Sequence, residues 1–219
     1  LFSYVGTQAT ALRSLGIPLY GALGPCDSNA LNGCPEPLTL GEQARLYLAR
    51  TRPRYFVDVP KRHLRMVFLD SFDPSCADPF GYSDACVAWL ADTLANTPRA
   101  RRVLVFSHVP PLARLMSPPA LALRGSDALM ELLSEHASQV LALVHAHASA
   151  ESFDNGETFP IIAAGGGNGQ GPDDAAEAKE PQRACWDIML VNPVRDTLRF
   201  VRLDAGGNRI VEDGEARWL

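Results

Sequence analysis

The 219-residue sequence contains no run of about eighteen apolar residues, so no helix of ordinary membrane-spanning length is expected. It has no excess of basic charge. Its 20 Lys and Arg stand against 25 Asp and Glu, for a formal net charge of −5, so nothing draws it generally to nucleic acid or to an anionic membrane. None of its cysteines are spaced C-x-x-C, which argues against a zinc ribbon. There is no internal repeat. The opening LFSYVGTQAT begins at Leu1 rather than methionine and lacks the basic-then-apolar pattern of a signal peptide. A processed, truncated or partly represented chain is the expectation.

What is present fits a globular protein. A composition 47% hydrophobic and 21% charged is ordinary for a packed domain, and the length suits one domain over residues 1–219. The cysteines fall as two local pairs, Cys26 with Cys34 and Cys76 with Cys86, plus Cys185. Two short-loop disulfides would place the protein in an exported or oxidising compartment; reduced thiols in a cytosolic protein are the equal alternative.

The first two-thirds of the chain alternates strand and helix patterns. TQATALRSL (7–15) reads as a helix stopped by Gly16, and IPLYGALG (17–24) as a short buried strand. TLGEQARLYLART (39–51) reads as a helix capped by Thr39. YFVDV (55–59) and LRMVFLDS (64–71) read as adjacent strands. Ser83 caps a helix whose Val87, Leu90 and Leu94 recur at helical spacing, and RVLVFSH (102–108) is a buried strand. SDALMELLSEHAS (126–138) reads as a Ser-capped helix before the strand VLALVHAH (140–147).

After this point hairpin signals dominate. Asn155-Gly156 marks a turn, CWDIMLVNP and TLRFVRLD pair, and GGN (206–208) turns before RIVEDG. GPDDAAEAKEPQ (171–182) reads as a surface loop. The expected fold class is α/β, a layered sandwich of two mixed β-sheets flanked by helices. LRMVFLDS, RVLVFSH and VLALVHAH are too continuously apolar for strands with a solvated face, and belong in its core.

Ligands in layered α/β folds collect at the carboxyl ends of strands. Three histidines stand at such ends: His108 after VLVFS, and His145 and His147 after LALV. The last two are separated by two positions, so a strand would point them to one face. Asp27 follows the reading of 17–24 as a strand. Imidazoles with a carboxylate suit a divalent transition metal. His63 and His136, on a loop and a helix, are read as structural.

The ordered stretches GPCD (24–27), FLDS (68–71) with the following AWLADTL (88–94), SHVPP (107–111), VHAH (144–147) and the late Gly165–Gly167 carry a resemblance. The chain resembles the calcineurin-like metallophosphoesterases, which include the purple acid phosphatases. The resemblance implies a phosphoester hydrolase fold, a dinuclear metal site, and His108, His145 and His147 as metal ligands. It also implies that the family's first motifs, Asp-x-His and Gly-Asp, would precede residue 1, leaving the fold incomplete at its N-terminus.

The departures matter as much as the matches. In the family's Gly-Asn-His-Asp motif the Asn is a metal ligand and the His aids the leaving group; those positions here are Pro25 and Cys26, while Asp27 keeps its identity. Val144 replaces the glycine of Gly-His-x-His. No confident catalytic residue remains. The expectation is a metallophosphoesterase-like domain, catalytically impaired, that holds at most one divalent ion (Zn, Mn or Fe) weakly and acts as a structural or binding unit with a protein partner. The alternative is an active phosphatase or phosphodiesterase, with a small phosphoester substrate, completed by motifs upstream of residue 1. A thiol enzyme built on Cys26 and a nearby histidine is a third reading, and it requires Cys26 to be unpaired.

Overall fold

A computed structural model describes residues 10–28, 35–59, 61–116, 122–146, 153–154, 158–164, 185–204 and 210–217. At its centre is a six-stranded sheet. β1 (Tyr55–Val59), β2 (Leu64–Phe68), β3 (Arg102–Phe106), β4 (Val140–His145), β5 (Phe153–Asp154) and β6 (Ile161–Ala163) lie in the order β1-β2-β3-β4-β6-β5. The four inner strands run parallel, and β1 and β5 close the edges antiparallel.

The apolar runs of β2, β3 and β4 are explained by burial on both faces. Val67, Val103, Val105 and Leu143 face helices, while Leu64, Leu104, Ala142 and Val144 face a second sheet. A fully buried side chain of this kind contributes about 1.5–3 kcal/mol over its exposed state.

The helices follow their start signals. α1 (Leu40–Leu48) opens on a capping box: Thr39 accepts from the Glu42 N–H, and the Glu42 carboxylate accepts from the Thr39 N–H at 2.8 Å. It ends where Ala49 turns left-handed. α2 (Asp84–Ala95) is capped by Ser83 and lays Cys86, Leu90 and Leu94 on the sheet. α3 (Ser126–Glu135) adds Leu129 and Leu133 to the same layer.

The second sheet is the meander β7 (Cys185–Asn192), β8 (Thr197–Asp204) and β9 (Ile210–Arg217). Leu198 and Phe200 of β8 are buried against the six-stranded sheet, with Met189 and Val191 of β7 beside them. Arg102 at the start of β3 pairs with Asp196 in the β7–β8 turn and ties the layers together. The layered α/β sandwich is thus present, with LRMVF, RVLVF and VLALVH at its centre. One sheet is mixed, and the other is antiparallel in its described strands rather than mixed.

Several local expectations are corrected. Residues 17–24 form no strand: Ile17 and Leu19 are exposed, and the segment is held by Tyr55, whose hydroxyl bonds both the N–H and the carbonyl of Gly21 at 2.9 Å. α3 is capped by left-handed Gly125, not by Ser126, whose hydroxyl instead donates to the Pro111 carbonyl. β5 and β6 pair antiparallel through Asp154 and Ile161, while Asn155 and Gly156, where a turn is expected, lie outside the described residues.

Cys76 and Cys86 form no disulfide. Both are free thiols, because Cys86 points into the core from the first turn of α2 while Cys76 hydrogen-bonds Asp73 in a surface loop. Cys26 is also a free thiol, and exposed. Cys34, the Cys185 side chain, Gly165–Gly167, residues 171–182 and the turn at 206–208 lie outside the described residues.

Burial pushes the Cys86 thiol pKa far up, with the Asp70 carboxylate adding to the shift. In the unreduced native protein iodoacetamide should therefore modify Cys26 quickly and Cys86 only on unfolding. Mass spectrometry showing Cys86 alkylated as fast as Cys26 would contradict this placement.

Candidate functional site

The parallel strands deliver their carboxyl ends to one edge, and three of the motif segments meet there. β2 continues into Leu69, whose N–H donates to the Phe106 carbonyl at 2.9 Å. β3 continues into Ser107, whose N–H donates to Val144 at 2.9 Å. The Ala146 N–H donates to the His108 carbonyl at 3.0 Å. The loops after β3 and β4 are thus bonded side by side, which puts His108 next to the end that carries His145.

His108 is half-buried, and its ring lies against Gly24. A Cβ at Gly24 would stand 2.5 Å from His108 Nδ1, so any other residue there would have to displace the ring. This contact brings the GPCD segment to the histidines. Residues Pro25–Ser28 form one 3₁₀ turn. Within it Asp27 accepts from the Gly24 N–H at 2.8 Å, and Ser28 donates to the Pro25 carbonyl at 2.8 Å. Burial raises the Asp27 carboxyl above its ordinary value, against the lowering effect of the Gly24 bond. Pro25 is buried and Cys26 exposed. Among the described residues no base is hydrogen-bonded to the Cys26 thiol, so the thiol-enzyme reading gains an unpaired cysteine but not the adjacent base it needs.

His145 is 1% exposed. Its Nδ1 donates to the Ala146 carbonyl at 2.9 Å, which leaves the proton off Nε2. Nε2 is buried with no hydrogen-bond partner among the described residues. Burial lowers the His145 pKa, partly offset by the Ala146 bond, so the ring favours the neutral form. A neutral imidazole with an unpaired, buried Nε2 lone pair is a suitable metal ligand. His147, the third expected ligand, lies outside the described residues.

Among the described residues the carboxylates do not complete a site. Asp27 is held on Gly24, and Asp70 accepts two hydrogen bonds from Arg54 at 2.9 and 3.1 Å. Among the described residues no group of three His, Cys, Asp or Glu could hold a metal ion. The described donors therefore supply at most part of a metal site.

Two positioning residues escaped the sequence reading. Ser71 Oγ accepts from the backbone N–H of His108 at 3.2 Å and of Val109 at 2.9 Å. The Tyr82 hydroxyl, fully buried, lies 2.7 Å from the Val109 carbonyl and 2.8 Å from Ser107 Oγ. Together they fix the backbone on both sides of His108. The available signal was a serine closing the apolar run FLDS and a tyrosine directly after Gly81.

No family model matches the chain, and no curated protein matches it. Among solved structures it is similar to a dimetal phosphatase from Danio rerio, with 17% sequence identity and a TM-score of 0.55. The match covers 76% of this chain and 61% of that one, so the chain spans about three-fifths of its neighbour's length. The likeness is one of fold alone, a layered α/β sandwich.

Proposed function

We propose that this chain is a metallophosphoesterase-like domain whose hydrolytic site is impaired, and that it serves as a binding or structural unit. The observation that carries this reading is the packing of Gly24 on His108. That contact supports the matching of GPCD to Gly-Asn-His-Asp, and it sets a buried proline and an exposed thiol where that resemblance asks for a ligand and a proton donor. A proline has no side-chain donor atom. A thiol is a poor substitute for an imidazole acid near neutral pH.

One weakly held divalent ion, zinc, manganese or iron, fits the remaining donors. His145 would hold it through Nε2, with His108 and His147 as further ligands. When bound, such an ion would supply Lewis acidity to a phosphoester oxygen. The second reading, an active phosphatase or phosphodiesterase completed by upstream motifs, is favoured by the unpaired Nε2 of His145, since a buried lone pair without a partner costs about 1–3 kcal/mol unless something binds it.

Metal stoichiometry tests the reading. Protein dialysed against zinc and then buffer should retain at most one equivalent by elemental analysis, and His145→Ala should retain none. Two tightly held equivalents would refute the impaired reading and support the dinuclear alternative.

A further inference from the structure

We draw no further inference here: the strongest candidate, the apolar groove between the two sheets beside β7, with Lys61, Arg62 and His63 of the β1–β2 hairpin at its end, carries none, since nothing in the structure shows what covers it.

Discussion

Gly125→Ala should destabilise the protein by about 3 kcal/mol or more, with Gly81→Ala close behind. The left-handed conformation alone costs a residue with a Cβ about 1–2 kcal/mol. Gly125 sits at φ +66, and its Cβ would also come 2.1 Å from the Tyr82 carbonyl oxygen. Gly81 sits at φ +109, with its Cβ 2.3 Å from the Arg124 carbonyl oxygen. Both obstacles are backbone, so neither can swing aside.

The two glycines belong to one joint. Gly81 bridges to Arg124, and the Tyr82 N–H donates to the Arg124 carbonyl at 2.7 Å. That joint seats Tyr82, whose hydroxyl fixes Ser107 and Val109 on either side of His108. The damage should therefore reach the site as well as the stability. Gly41→Ala is the control: it lies in the first turn of α1, where a Cβ meets nothing within 4 Å, and should be neutral or stabilising by about 0.5–1 kcal/mol. Urea midpoints measure all three. Equal midpoints for Gly125→Ala and Gly41→Ala would show that the joint is not rigid.

The same contrast shows where the sequence is readable. Helices with side-chain caps and strands buried on both faces declare themselves locally, as Thr39, Ser83 and the run RVLVF do. Residues 17–24 do not, because an apolar run becomes a strand only if another strand is present to pair with it, and here the segment is held by the Tyr55 hydroxyl on Gly21 and by side-chain packing of Tyr20 and Leu23. The capping role of Gly125 was hidden for a related reason. Ser126 looks like a cap, but its hydroxyl is drawn to the Pro111 carbonyl from a distant loop.

The cysteines misled through spacing. Cys76 and Cys86 are near in sequence, but one faces the core from a helix and the other a loop carboxylate. At the site, the adjacency of His108 and the end of β4 could be anticipated from strand order. The burial of His145 and the grip of Gly24 on His108 could not, since both depend on side chains supplied by other elements.

Activity carries the largest expected effect, because the proposed impairment touches every kind of group a dinuclear phosphoesterase uses. The purified chain should not hydrolyse nitrophenyl phosphate mono- or diesters above a buffer control when manganese, zinc or iron is supplied. Two-metal hydrolysis needs both cations to clamp the phosphate and to generate the bound hydroxide. The carboxylates in the motif segments are engaged elsewhere, Asp70 by Arg54 and Asp27 by Gly24. On the proposed reading Pro25 offers no ligand atom at its motif position, and Cys26 is a weak stand-in for an imidazole acid. Loss of one proton donor alone costs about 10²–10⁴ in rate. Losses at one site do not simply add, but the described residues hold no group that would offset them. Restoring Pro25→Asn and Cys26→His together should leave the rate at background, because the pair supplies a ligand and an acid but no bridging carboxylate. Metal-dependent turnover by the unaltered chain, abolished in His145→Ala, would sink the impaired reading. It would move the chain to the alternative, an active phosphoesterase that uses ligands beyond the residues described.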